Sequence, residues 1–242
     1  MRVIYGTDIG LKREENQDSV RCEYFGKNVL AVVCDGMGGE KAGREASTIA
    51  VEEFFLRFSQ EYSENLDDEE ISRLLKASVV ASNTVIYNRA KLDFNNFGMG
   101  TTCVAVFITD KTIFVANVGD SRAYLVIEGG IFYQITTDHN LATELYNQGR
   151  ITEEEIENHP QKHMLVRAVG VEKTVDVDTF IIDYDDKVTL LLCSDGLSGY
   201  CTNDEIYEVI RNTDFENVVD SLINLALSKG GNDNVTVAVI SE

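Results

Sequence analysis

Residues 101–135 read TTCVAVFITDKTIFVANVGDSRAYLVIEGGIFYQI, and this stretch decides the predicted fold. It divides into four short runs rich in β-branched and aromatic residues: Thr101–Ile108, Thr112–Val118, Arg122–Ile127 and Phe132–Ile135. The segments between the runs contain Asp or Gly, which favour turns. Because strands joined by short turns run antiparallel, we predict a β meander here.

Further elements are predicted on both sides of this block. The additional strands are Arg2–Thr7, Val29–Val33, Val177–Ile182, Val188–Cys193 and Asn234–Ile240. Helical patterns cover about 42–58, about 69–91, a segment that opens at Thr202-x-x-Glu205, and about 215–228. Strands and helices come in separate blocks rather than in βαβ alternation. We therefore expect an α+β fold, a four-layer α/β/β/α sandwich of two mainly antiparallel sheets flanked by helices.

Residues 138–170 are more polar and contain the chain's single proline, Pro160. Thr152-x-x-Glu155 in this segment has the spacing of a capping box. We interpret the segment as a small helical excursion from the sheets.

Composition restricts the class of protein. The length of 242 residues fits one domain, 1–242, and 21 basic against 41 acidic residues give a formal charge of −20. Nucleic acid is therefore not expected as a partner.

No apolar run is long enough to span a membrane, and the N-terminus lacks the apolar stretch of a signal peptide, so we expect a cytoplasmic protein without membrane contact. The five cysteines form no C-x-x-C pair, which argues against a disulfide framework or a thiolate zinc site.

Carboxylates recur at the ends of predicted strands. Asp35, Asp120 and Asp195 follow apolar runs, Asp233 precedes the last strand, and Asp18 follows the first. A single aspartate in such a place is usually a turn residue. Several together at one rim of a sheet would repel each other, and a divalent cation would compensate for that repulsion. Because the candidate ligands are all hard oxygen donors, Mg²⁺ or Mn²⁺ is expected.

Arg13 lies close in sequence to the acidic cluster and has two interpretations. Arg13 could form an ion pair with the acidic cluster, or it could hold a phosphate in a bidentate manner. The three histidines, His139, His159 and His163, are interpreted as surface or hydrogen-bonding groups rather than metal ligands.

An ordered series of motifs extends over nearly the whole chain. The motifs are GLKREENQD, VVCDGMGG, FGMGTT, VANVGDSRAY, TTDHN, LVRAVG, LLCSDGLSGY and GGNDNVT. In this order they resemble the protein phosphatase 2C family of metal-dependent serine/threonine phosphatases, in its compact bacterial form. The segment 138–170 resembles the flap of that family, which borders the active site.

The resemblance implies a site with two core cations. Asp35 would bridge them, and the carbonyl of Gly36 would ligate one. Asp195 and Asp233 would ligate the other. Asp120 would help Asp195 to hold a third, weaker cation.

The resemblance also implies roles around that site. Arg13 would bind the substrate phosphate, and Asp18 would hold a water molecule on a cation. Two residues depart from the animal members of the family: Gln17 replaces Glu, and Met37 replaces the histidine proposed there as general acid. Methionine cannot donate a proton, so either a water molecule on a cation or Glu40 would protonate the leaving group.

The implied activity is hydrolysis of phosphoserine and phosphothreonine in proteins by a metal-activated water, without a phosphoenzyme. Partners would be phosphorylated proteins, including a serine/threonine kinase and its substrates, and the chain would be a monomer. One alternative is a catalytically silent pseudophosphatase that acts as a binding module, but Asp35, Asp195 and Asp233 are all retained. A second alternative, an acidic Ca²⁺-binding domain, lacks a D-x-D-x-D-G loop.

Overall fold

The computed structural model describes residues 1–92, 96, 98–128 and 130–241, without the side chains of Glu40 and Lys41. The strands are β1 (Arg2–Asp8), β2 (Asp18–Phe25), β3 (Asn28–Met37), β4 (Gly100–Thr101), β5 (Cys103–Ile108), β6 (Thr112–Val118), β7 (Arg122–Ile127), β8 (Ile131–Gln134), β9 (Asp178–Asp183), β10 (Val188–Cys193) and β11 (Val235–Ser241). The helices are α1 (Glu40–Glu61), α2 (Asp68–Leu92), α3 (Leu141–Asn147), α4 (Glu153–Asn158), α5 (Asp195–Ser198), α6 (Asn203–Asn212) and α7 (Phe215–Ser228).

These strands form two antiparallel sheets. The first sheet has the order β1-β11-β10-β7-β8. The second has the order β2-β3-β5-β6-β9, and β4 pairs with the last two residues of β3, Gly36 and Met37. Among the described residues, no helix is both long and apolar enough to cross a membrane.

Three hydrophobic cores separate four layers. The first core lies between the second sheet and the helices α1 and α2, and it includes Phe54 and Phe107. The second core lies between the two sheets. The third core lies between the first sheet and the helices α6 and α7. Leu190 faces the second core, and its neighbour Leu191 faces the third. Successive side chains of a strand point to opposite faces, so a strand covered on both sides must be apolar throughout. This confirms the predicted α/β/β/α sandwich.

The predicted meander was wrong in one respect. The strands β5 and β6 form a hairpin in the second sheet, whereas β7 and β8 form a hairpin in the first. The chain crosses between the sheets at Gly119, whose φ is 109° and whose added Cβ would lie 2.6 Å from the side chain of Thr102. Turn residues specify a reversal of direction but not which strand becomes the neighbour.

Two further differences concern the segments that carry site residues. The strand β3 continues past Val33 to Met37, because Asp35 pairs with Asp18 and Gly36 pairs with Thr101. The strand β2 was not predicted, since its half-buried residues include polar and charged side chains.

The excursion at 138–170 contains two short helices, α3 and α4, and its remainder is irregular. Thr152 and Glu155 form the expected capping box at the start of α4. A second capping box joins Thr202 and Glu205 at the start of α6.

Candidate active site

The predicted site carboxylates lie at one end of both sheets. Asp18 and Asp35 are register partners in the second sheet. Asp195 follows β10 and Asp233 precedes β11 in the first sheet, while Asp120 lies in the crossing from β6 to β7. The sequence prediction placed them on one sheet rim; the structure places them at the adjoining rims of two stacked sheets.

A cavity of about 910 Å³ opens between these rims. Its lining includes Arg13, Asp35, Asp120, Asp195 and Asp233, together with Gly36 and part of the 138–170 segment. We call it the catalytic cavity. Asp18 is buried next to this lining, with 8% of its surface exposed.

The carboxylates at this cavity repel one another. Burial raises the pKa of Asp35 well above its ordinary value, and the charges of Asp18, Asp195, Asp120 and Asp233 add to that increase. Burial and the charges of Asp195 and Asp233 raise the pKa of Asp18 to about 7. Burial and the charge of Asp195 raise the pKa of Asp120. Such a group of charges requires a compensating cation or bound protons at neutral pH.

Two carboxylate oxygens of the site are buried without a hydrogen-bonding partner among the described residues, Asp18 Oδ1 and Asp195 Oδ1. The other oxygen of Asp18 is held in place, because Ser194 Oγ donates to Asp18 Oδ2 over 2.7 Å. The Thr236 N–H donates in turn to Ser194 Oγ over 3.0 Å. The orientation of Asp18 is thus fixed through Oδ2, while Oδ1 remains buried without a hydrogen bond among the described residues.

The backbone of Asp35 is held by two threonines of the FGMGTT motif. The Asp35 N–H donates to Thr102 Oγ1 over 2.9 Å, and the Thr102 N–H and Thr101 Oγ1 both donate to the Asp35 carbonyl over 2.8 Å. The Thr102 and Ser121 hydroxyls are 2.6 Å apart, which connects β3 to the Asp120 crossing. Next to Asp35, a Cβ on Gly36 would lie 2.0 Å from the Gly43 carbonyl oxygen, so this position requires glycine.

One buried amide fixes the loop that carries Arg13. Asn234 Nδ2 donates to the carbonyls of Ile9 and Glu15 over 2.9 and 3.0 Å. Its Oδ1 accepts the Gln17 N–H over 2.8 Å. Three backbone groups of the loop are therefore anchored beside Asp233. Asn234 was quoted in a motif, but no sequence pattern indicated this role.

Arg13 forms an ion pair in the structure. Its Nη2 donates to Asp233 Oδ2 over 2.7 Å, and Asp35 and Asp195 also favour its charge. This is one of the two alternatives that the sequence left open. Its guanidinium lines the catalytic cavity, where it can also reach a bound anion.

His163 is a site residue that sequence reasoning missed. Its Nδ1 lies 3.3 Å from Asp195 Oδ2, and its ring stacks on Tyr200 with centroids 6.2 Å apart. The residue is 32 positions away from Asp195, and no spacing rule connects the two.

His139, like His163, has a hydrogen-bonding role, as interpreted from the sequence. Its Nδ1 accepts the Gly119 N–H over 3.0 Å, so its Nε2 carries the proton and donates to Asp178 Oδ2 over 3.0 Å. Burial lowers the pKa of His139, which favours this neutral form.

Among the residues that the structure describes, no three His, Cys, Asp or Glu side chains are grouped closely enough to hold a metal ion. Two of the predicted ligands, Asp233 and Asp195, contact Arg13 and His163 instead. The donor chemistry nevertheless fits hard divalent cations, since the carboxylates face one cavity and two buried oxygens lack a partner.

Comparisons with known proteins show the family of the chain. The Protein phosphatase 2C family profile matches residues 10–236. The serine/threonine phosphatase Stp of Listeria innocua is 38% identical over 244 residues, covering 99% of this chain and 95% of that protein. The chain belongs to the protein phosphatase 2C family.

Solved structures extend the comparison. The serine/threonine phosphatase Stp1 from Staphylococcus aureus has a TM-score of 0.91 at 36% identity and covers 99% of this chain and 94% of that one. The catalytic domain of the phosphatase PstP, solved with two manganese ions, has a TM-score of 0.84 at 33% identity, with coverages of 98% and 96%. The predicted fold and the activity of a protein serine/threonine phosphatase are confirmed, and phosphorylated proteins are its substrates.

Proposed function

We propose that the chain hydrolyses phosphoserine and phosphothreonine with two core Mg²⁺ or Mn²⁺ ions and a weaker third ion. The core ions would be held by Asp35, the Gly36 carbonyl, Asp195 and Asp233. The third ion would be held by Asp120 together with Asp195. The observation that carries this proposal is the pair of buried, unpartnered oxygens, Asp18 Oδ1 and Asp195 Oδ1, among mutually repelling carboxylates. The two manganese ions of PstP support it. When bound, such cations lower the pKa of water so that hydroxide is available near neutral pH.

Arg13 would change partners during function. Its ion pair with Asp233 is half-exposed at the guanidinium, and pairs of that kind contribute only about 0–1 kcal/mol. Ligation of a cation by Asp233 would release Arg13, whose planar guanidinium could then accept a phosphate in bidentate geometry. Asp18, oriented by Ser194, would hold a water molecule with its free oxygen.

The side chains at the site favour direct attack by water over a phosphoenzyme. The Ser194 hydroxyl is engaged with Asp18 and with the Thr236 N–H. Burial raises the pKa of the Cys193 thiol to about 12 and raises that of Cys34 as well. Ser194 is fully buried and the two thiols stay protonated at neutral pH, so none of these three side chains is expected to act as a nucleophile.

The leaving group needs a proton from another source. Met37 lines the catalytic cavity and cannot supply one. Of the two sources left open by the sequence, the Glu40 side chain lies outside the described part of the structure. We favour water on a cation.

The wider organisation follows from the same proposal. Residues 1–242 would form one phosphatase domain with a flap at about 138–170, tied to the sheets by a bridge between Thr101 and Val169. The chain would be a cytoplasmic monomer that acts on a serine/threonine kinase and its substrates, without nucleic acid or membrane contact. The pseudophosphatase alternative is not favoured, because no predicted ligand is replaced.

Hydrolysis assays test the proposal. An aryl phosphate and a phosphothreonine peptide should both be hydrolysed with Mn²⁺, and chelator should abolish both activities. Chelator-resistant turnover of both substrates would contradict the proposed cation dependence.

A further inference from the structure

A second groove of about 300 Å³ adjoins the catalytic cavity. We call it the lateral groove. Met37 and Leu165 line both spaces, so the two are continuous. Its other apolar lining includes Val166 and Val171, which are 49% and 42% exposed.

Backbone contacts hold the lateral groove open in this shape. Thr101 and Val169 exchange backbone hydrogen bonds of 3.0 and 2.8 Å, and the Gly170 N–H donates to Asn83 Oδ1 over 2.7 Å. A Cβ on Gly100 would lie 2.7 Å from Val171 Cγ2 and 3.7 Å from Met37 Cε. Glycine at this position therefore leaves room for the Val171 side chain, which lines the groove together with Met37.

The charge of the lateral groove is negative. Glu172 and Asp176 line it, are exposed, and form no ion pair among the residues that the structure describes. Arg167, the cationic side chain among the described residues of the lining, is already paired, because its Nη1 donates to Asp178 Oδ1 over 2.7 Å. The apolar floor thus ends at two uncompensated carboxylates.

We infer that the lateral groove is a subsite for a Lys or Arg side chain of the phosphorylated substrate. This inference rests on the proposed function of the catalytic cavity. The alkyl stem would lie on Met37 and Val171, and the charged head would reach Glu172 and Asp176, as long basic side chains do on apolar surfaces with polar rims. The groove volume suits one long side chain, and the formal charge of −20 attracts basic segments.

The position of the basic residue follows from the strand geometry. Met37 is two residues beyond Asp35 in β3, which corresponds to roughly 7 Å along an extended strand. An extended substrate advances at most roughly 3.3–3.6 Å per residue. The basic residue is therefore expected within about three positions of the phosphoresidue.

Phosphothreonine peptides with Lys, Leu or Glu at each of these flanking positions test the inference. Rates are divided by the rate on an aryl phosphate, which reports folded, active enzyme and has no flanking residues. At one of these positions the peptide with Lys should have a kcat/KM about tenfold higher than the peptide with Glu. E172Q and D176N should each reduce this Lys-to-Glu ratio of kcat/KM by about three- to fivefold. The effect should weaken in high salt.

Asp186→Asn is the matched control. It removes the same charge from an exposed position between β9 and β10, at the end of the sheets opposite to the catalytic cavity. It should leave the Lys-to-Glu ratio unchanged. An absence of any Lys preference, or a preference that E172Q, D176N and D186N all leave intact, would overturn the subsite. Loss of cation-dependent turnover on the aryl phosphate itself would instead count against the proposed function.

Discussion

Arg13 Nη2 donates to Asp233 Oδ2 over 2.7 Å, so the residue expected to bind phosphate is paired with one expected to bind a cation. The other oxygen of Asp233 accepts the Asn234 N–H over 2.9 Å. Both oxygens of Asp233 are thus engaged within the protein. Asp233 can take up a cation only if it exchanges one of these contacts, and the half-exposed Arg13 is the easier one to displace.

Arg13→Ala should raise KM and lower kcat on a phosphothreonine peptide, because the phosphate loses its bidentate partner. The Kd for Mn²⁺ should change by no more than about fivefold, since the ion pair is weak. Arg13→Lys should recover only part of the lost activity. Steady-state kinetics and titration calorimetry on the same preparations check both expectations. A variant altered mainly in Mn²⁺ binding would favour a purely structural ion pair.

Asn substitutions at Asp35, Asp195 or Asp233 should each reduce turnover by at least ~10³-fold, because each removes a charge needed to hold the cations. Without metal, Asp35→Asn should raise Tm, since an ionisable group that is unfavourably buried among other carboxylates is removed. Activity assays and thermal unfolding in chelator measure the two effects. Asp186→Asn serves as the charge-matched control. Full activity in Asp35→Asn would refute the two-cation assignment.

The metal-free protein should become more stable as the pH falls. Asp18 has a folded-state pKa of about 7, above its value in the unfolded chain, so its stabilising contribution is complete at low pH and is lost as the pH rises through about 7. Between pH 8 and pH 6 this residue alone should add on the order of 1 kcal/mol. In chelator, Tm should rise by about 2–4 °C over that change, and Asp18→Asn should remove this increment.

With Mn²⁺ present the direction should reverse, because cation binding requires ionised carboxylates. Thermal unfolding at both pH values, with chelator and with Mn²⁺, gives the comparison. Equal pH dependence in wild type and Asp18→Asn would show that Asp18 does not titrate in this range.

Asp120→Ala should separate the third cation from the core pair. The core ligands Asp35, Asp195 and Asp233 remain, so tight Mn²⁺ binding should persist. The kcat on a phosphopeptide should fall strongly, because its alkoxide leaving group needs a proton, whereas an aryl phosphate should be affected less. If Asp120 only shapes the turn before Ser121, both activities should fall equally and slightly, with a loss of ~1 kcal/mol in stability.

The sequence predicted the regular elements well where burial is two-sided or periodicity is strong. The strands Thr112–Val118 and Val188–Cys193 and the helix Phe215–Ser228 have the bounds that their patterns indicated. The crossing at Gly119 was not predicted, because turn chemistry is local and the choice of sheet depends on packing. The Asp18–Asp35 pairing was missed for a related reason, since half-buried β2 lacks a clear apolar alternation.

The sequence predicted which carboxylates belong to the site but not the contacts that those residues make. Aspartates after apolar runs indicated which residues would meet, and the motif order indicated their family. The pairing of His163 with Asp195 and the anchoring of the Arg13 loop by Asn234 depend on distant segments that the fold brings together. No local pattern in the sequence encodes either contact.

Anomalous diffraction from a crystal soaked in Mn²⁺ tests the two-cation site most directly. We expect two strong anomalous peaks in the catalytic cavity, both contacted by Asp35, with Asp195 and Asp233 as further ligands. Arg13 should then have left Asp233 and should point into the cavity. No peak near Asp35 at saturating Mn²⁺, with Arg13 still bound to Asp233, would contradict the proposal.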